Sequence, residues 1–200
     1  GQLASSTRYY TVGGTTYQFK NTVDTYDPLY RPKKTTLTVP SIPGETAPTS
    51  AGQQGLAGSY ATNTAYNLDG TVQSIGYPAA GNLAAEVVAF TYDDQHRTTT
   101  IGSNLSTYLT AQTYDLTGKP LKSTLNAGGK NTWVTNVWDW GSQRLHGSRT
   151  DQQDITGAAR ATTYGYDDAG EVTSLSDTSR TGTDQQCFEY DHLGRLTEAF

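Results

Sequence analysis

The chain is predicted to be all-β, built from tandem hairpins, and three observations carry that prediction. It contains 14 Tyr, 34 Thr and 21 Gly but no Met, a composition that suits pleated, half-buried strands better than helices. Leu, Ile, Val and Phe together make only 16% of its 200 residues, yet charged residues are also only 16%. A disordered chain needs high charge and few aromatics, and this one has neither. The third observation is a repeat.

An aromatic followed by Asp or Asn recurs with a common sequel. The copies begin at Tyr26-Asp27, Tyr66-Asn67, Tyr92-Asp93, Tyr114-Asp115, Trp138-Asp139, Tyr166-Asp167 and Tyr190-Asp191. The aromatics are 40, 26, 22, 24, 28 and 24 residues apart. The long first interval holds the Pro/Gly/Ser-rich stretch 40–58, which reads as an insertion loop. Regular self-similarity of this kind marks a stack of supersecondary units.

Taken in order, residues 1–25 read as a leading hairpin, with Gly13-Gly14 as its two-residue turn. Residues 26–39 form the first repeat, 40–58 the insertion, and 59–200 six further repeats. In each repeat the Asp or Asn side chain can accept an amide two residues on and start a turn. The slot four residues past the aromatic is Gly in Gly70, Gly118, Gly170 and Gly194, and favours a left-handed backbone. The slot holds Tyr30, His96 and Ser142 in the other copies. Tyrosine suits that backbone poorly, so the first repeat is expected to turn differently, fixed by Pro28 and Pro32. Spacing of two puts Phe90 with Tyr92, Tyr164 with Tyr166 and Phe188 with Tyr190 on shared strand faces. Looser turns are expected at the opposite ends, over 78–82, 126–130, 151–157 and 176–182.

The octamer Tyr190-Asp191-His192-Leu193-Gly194-Arg195-Leu196-Thr197 resembles the YD repeat of RHS (rearrangement hotspot) proteins, and the resemblance runs from Tyr26 to Thr197. Residues 67–80 and 186–199 resemble actinobacterial members in particular. The resemblance implies one long curved antiparallel sheet, a segment of a hollow shell. In that bacterial polymorphic-toxin family, as in the similar teneurins and toxin-complex C proteins, the shell encloses a C-terminal toxin, effector or processed peptide. It therefore implies a fragment of a longer chain, secreted or displayed at the cell surface, whose partners are adjacent repeats and an encapsulated cargo. Shells of this family often carry an Asp-Pro-x-Gly autoprotease signature. Asp27-Pro28-Leu29-Tyr30 begins like it but has Tyr in place of Gly, and no cleavage role follows.

Chemistry is sparse. The net charge of −5 and pI of about 5.0 argue against nucleic acid or an anionic membrane surface as partner. No apolar run approaches the roughly 18 residues of a membrane span, and no signal segment opens the chain. The pairs Asp93-Asp94 and Asp167-Asp168 would point to opposite faces of a strand and so do not make an acid–base pair. His96, His146 and His192 are too dispersed for a metal site. Cys187 shows neither base nor oxyanion hole, so it reads as a strand residue. Gly128-Gly129-Lys130-Asn131 lacks the first Gly and the Ser/Thr of a phosphate loop. Lys33-Lys34 and the Arg144–Arg149 stretch read as solvated basic spots, and Asn104-Leu105-Ser106 matches a glycosylation triplet. No catalytic residue, metal or cofactor is expected. The residues expected to matter are the turn aromatics with their Asp, Asn and Gly partners. A second reading is a carbohydrate-binding module using Trp133, Trp138, Trp140 and Tyr164, with Tyr166 beside them; the regular place of the aromatics beside each turn favours packing of repeat on repeat.

Overall fold

The computed structural model describes residues 1–43 and 56–200. Among these residues the chain is all-β, without helix, and its fifteen strands follow one another in sheet order as they do in sequence. Most of the insertion loop expected over 40–58, namely 44–55, lies outside the described residues.

Two compact bodies are distinguished, Gly1–Thr91 with Gly102–Leu105, and Tyr92–Ile101 with Ser106–Phe200. The first holds β1 (Ser5–Val12), β2 (Thr15–Tyr26), β3 (Pro32–Val39), β4 (Gly58–Tyr66), β5 (Val72–Tyr77) and β6 (Glu86–Tyr92, to Thr91). Each pairs antiparallel with the next. After β7 (Thr98–Ser103), the second holds β8 (Thr107–Tyr114), β9 (Pro120–Ala127), β10 (Lys130–Trp138) and β11 (Leu145–Gln152). It continues with β12 (Arg160–Tyr166), β13 (Val172–Ser179), β14 (Gly182–Tyr190) and β15 (Leu196–Ala199). From β8 to β15 the pairing is again antiparallel and sequential.

The sheet has almost no core. Among the described residues only Ile42 (6% exposed) and Leu109 (8%) are buried hydrophobics, and no side chain is wholly excluded from solvent. A chain so poor in aliphatics cannot lay a second layer over its strands. Cohesion must come from ladder hydrogen bonds and from side chains meeting across neighbouring strands. Ile42 lies in a depression with Arg8, Tyr10 and Phe19, where the start of the insertion folds back on β1 and β2.

The Gly13-Gly14 turn is as expected: Val12 pairs with Thr15, and both glycines have positive φ. Two turns expected to be loose are tight two-residue hairpins. Gly128-Gly129 joins Ala127 to Lys130, and Arg180-Thr181 joins Ser179 to Gly182. Expecting them over 126–130 and 176–182 undercounted how far the ladder runs before the chain reverses.

Candidate functional site

The recurring feature is the aromatic–Asp turn. Its backbone is closed twice, as at Tyr114. The Asp115 amide donates to Lys119 O at 2.9 Å, and the Gly118 amide to Asp115 O at 3.2 Å. The Asp115 carboxylate then accepts the amides of Thr117 and Lys119, both at 2.8 Å. Asp27, Asp93 and Asp191 cap their turns in the same way, with amides two and four residues on. Asp167 takes Gly170 and Glu171 instead, and Asn67 bonds the Thr71 hydroxyl. Asn67 therefore departs from the expected capping, since its side-chain amide donates to Thr71 and it is Asp69 that accepts the Thr71 amide, at 2.9 Å.

Tyr30 departs from expectation. It has φ 64°, and the first repeat closes with the same two bonds as the rest, Tyr30 N to Asp27 O and Asp27 N to Arg31 O. The Asp27 carboxylate, with three donors drawn from Leu29 and Arg31, outweighs the steric cost of a tyrosine there. His96 accepts the same backbone at φ 61°. In the Trp138 copy the left-handed residue is Gln143 (φ 60°) rather than Ser142, because the loop is one residue longer and Asp139 N closes on Arg144 O.

A β-bulge follows the turn at the aromatic. Tyr66 pairs with Val72 while Ala65 pairs with Ser74, and the same shift occurs at Tyr26, Tyr114, Trp138, Tyr166 and Tyr190. A bulge adds local twist and re-aims the side chain opposite it. Here that side chain is the aromatic, and it reaches the preceding repeat.

There the rings meet two partners. Tyr66 Oη donates to Pro32 O (3.1 Å), Tyr114 Oη to Thr98 O (2.6 Å), Trp138 Nε1 to Pro120 O (3.0 Å), Tyr166 Oη to Leu145 O (2.8 Å) and Tyr190 Oη to Val172 O (2.9 Å). Above the rings stand cations from the preceding turn. Arg31 lies 4.1 Å from the Tyr66 centroid, Arg97 4.6 Å from Tyr114, Lys119 5.0 Å from Trp138 and Arg144 5.5 Å from Tyr166. Arg97 and Arg144 also donate to the carbonyls of Asp115 and Asp167, each at 3.3 Å, and Lys119 to that of Gln143. Arg31 and Arg97 are held by their own turn's carboxylate, Nε to Oδ2 at 2.6 and 2.8 Å. A cation so placed binds its own turn and the next at once.

These cations were missed as functional residues. Arg144, read as part of a solvated basic stretch, is half-buried and engaged with the next turn. The recurrence of Arg or Lys five residues past the aromatic at Arg31, Arg97 and Lys119, and six past it at Arg144 in the longer Trp138 loop, was the signal that could have found them. Tyr26 Oη also reaches Leu3 O at 2.5 Å, so the relation extends to the third residue.

The turn carboxylates are held below the ordinary carboxylate range. For Asp93 and Asp167 the chief cause is the amide of Arg97 or Glu171, and for Asp191 the Arg195 side chain. Around Asp27 and Asp115 loss of water is the largest influence and pushes upward, but the donors of residues 29–31 and 117–119 together prevail.

Of the residues considered for glycan contact, Trp133 and Trp138 are half-buried beneath Lys122 and Lys119. Tyr164 stacks on Tyr166 at 6.5 Å, and Trp140 is 81% exposed. His96, His146 and His192 are exposed, and among the described residues no His, Cys and carboxylate group gathers as a metal site. Cys187 lies half-buried in β14. The Asn104 side chain bonds Val87 N and Ala85 O.

Fold and turn together define a tandem β-hairpin repeat array, cross-linked from turn to turn. No protein-family model and no curated protein matches the sequence. Solved structures do share the fold. A crystal structure of TcdB2-TccC3 matches with a TM-score of 0.72 at 14% identity, covering 99% of this chain and 11% of that one. TcdB2-TccC3-TEV matches at 0.70 and 15% identity over 97% of this chain, and the Photorhabdus luminescens Tc holotoxin pore at 0.71 and 14% over 99%, each with 10% of the other chain covered. This chain thus spans about a tenth of their length. At the level of fold these likenesses agree with the RHS/YD-repeat resemblance of the sequence.

Proposed function

We propose that the chain is a non-catalytic wall segment of an RHS-repeat shell, part of an exported or surface-displayed protein that encloses a C-terminal toxin, effector or processed peptide. The observation that carries this reading is the turn-to-turn coupling, which ties hairpins side by side in a sheet nearly devoid of buried side chains. Such a sheet is suited to be a wall, because its cohesion lies in its own plane and needs no second layer. The near-complete coverage of this chain by segments of toxin-complex structures supports the same reading. One of those structures is described as lacking a hypervariable C-terminal region, which would be the cargo position here.

Electron cryo-microscopy of the full-length protein tests it. The expected result is a closed ribbon wall with density inside and a C-terminal domain protected from protease until the wall is opened. A fully extended ribbon with a protease-sensitive C-terminal domain would overturn it. The competing reading, a carbohydrate-binding module, rests on Trp140. Acrylamide quenching of single-tryptophan variants, with and without glycan, separates the two, since a wall leaves the accessibility of Trp140 unaltered by sugar.

A further inference from the structure

We propose that the ladder between β13 and β14, which joins the Tyr166 hairpin to the Tyr190 hairpin, is an electrostatic seam. It opens more readily than the joints clamped by Lys119 and Arg144, because negative charge gathers along it, and salt tightens it. Its use as the place where a wall parts rests on the reading above; the seam itself does not.

The first observation lies at the turn end. Arg31, Arg97 and Lys119 stand five residues past their aromatics and Arg144 six past Trp138, and each lies over the ring of the next repeat. Five residues past Tyr166 the chain has Glu171. Its carboxylate lies against Gly194 as the Arg144 guanidinium lies against Gly170, so an anion sits in the seat of a cation. A carboxylate has no N–H to give the next turn, as Arg97 and Arg144 give to Asp115 O and Asp167 O. Nor can it replace the cation that the electron-rich face of a ring selects. The groove of about 530 Å³ between the two turns is lined by Glu171 and Glu189 besides the capping Asp167 and Asp191.

The second observation lies along the strands. Asp177 stands directly opposite Asp184, and like charges so placed repel. Arg160 Nε holds Asp177 and Gln186 Nε2 holds Asp184, both at 2.8 Å, which lets the ladder close without removing the repulsion. The ladders of β3 with β4, β5 with β6, β9 with β10 and β11 with β12 set no two like charges opposite each other. The β13–β14 joint keeps its backbone pairing, the Thr178–Thr183 hydroxyl pair and Tyr190 Oη on Val172 O, but not the cation bridge of the Lys119 and Arg144 joints.

Hydrogen exchange of the full-length protein, read peptide by peptide, tests the seam. In about 10 mM NaCl the amides of 183–187 in β14 should exchange about ten-fold faster than those of 131–135 in β10 and 161–163 in β12, because each opens as locally as it is held. Raising the salt to about 1 M shortens the screening length from roughly 30 Å to 3 Å. Exchange in β14 should then slow several-fold while β10 and β12 stay within about two-fold. At low salt Glu171→Arg should slow β14 about five-fold, and Asp184→Asn about two-fold. The double variant should lose the salt response, with β10 and β12 reporting that the fold is intact. Protection in β14 equal to that of β10 and β12, or exchange there that neither variant slows, would overturn the proposal. So would a salt response shared equally by the three strands. A wall disproved by microscopy leaves this outcome untouched, and a failed seam leaves the wall reading standing.

Discussion

The hydroxyl of Tyr190 donates to the carbonyl oxygen of Val172 at 2.9 Å, eighteen residues back and one repeat away. Val172 pairs with Tyr166, and the Tyr166 hydroxyl in turn donates to Leu145 O. Tyr166 and Tyr190 therefore form a relay in which each ring fastens its own hairpin to the one before.

Removing one hydroxyl tests the relay. Tyr190→Phe keeps the ring and loses the donor, which should cost about 1 kcal/mol. Tyr114→Phe should cost a similar amount, and the double variant should show additive losses, since the two sites share no partner. Chemical denaturation of the three variants checks this; a destabilisation confined to one of them would break the equivalence of the repeats.

Gly170 and Gly118 both have positive φ, 98° and 89°, but differ in their surroundings. A Cβ at 170 would collide with the Arg144 guanidinium, whereas one at 118 would meet nothing within 4 Å. Gly118→Ala should cost the backbone strain alone, about 1–2 kcal/mol. Gly170→Ala should cost more, because Arg144 must also leave the Tyr166 ring. Equal melting temperatures for the two variants would count against the role given to Arg144.

Tyr30 offers the reverse case. It is 73% exposed and left-handed, so Tyr30→Gly relieves strain and forfeits little packing. The variant should be more stable by up to about 1 kcal/mol, the relief being partly offset by the freer unfolded chain. A loss of stability on thermal melting would show that the tyrosine ring contributes contacts of its own.

The turn aspartates set an acid limit. Asp27, Asp93, Asp115, Asp139, Asp167 and Asp191 all have folded pKa values below the ordinary 3.8. The unfolded chain therefore binds protons first as pH falls. Their stabilisation is complete above the ordinary carboxylate value and disappears as pH drops through the lower folded values. Melting temperature should be flat from neutrality to about pH 5 and fall steeply below 4. Asp93→Asn should flatten that acid limb; an unchanged limb would mean that other carboxylates govern it.

Much of this arrangement was legible in the residues. Asp115 with Gly118 announces its turn locally, because the carboxylate and the amides it caps lie within four residues. Gly13-Gly14 does the same for its hairpin. The bulge opposite Tyr66 was not legible, since two residues facing one is a property of two paired strands. Nor was the partnership of Arg144 with Tyr166, whose parts are 22 residues apart and meet only after β11 and β12 pair.

Local chemistry by itself determined that this chain makes strands, that it reverses at each aromatic–Asp or –Asn pair, and that all but the first of these reversals follow one another at 22 to 28 residues. Only the tertiary structure decided what the recurrent aromatics and basic side chains do. A turn is specified by contacts a few residues long, whereas a ring beneath a guanidinium from the previous hairpin exists only once strand pairing and its bulge have brought the two side by side.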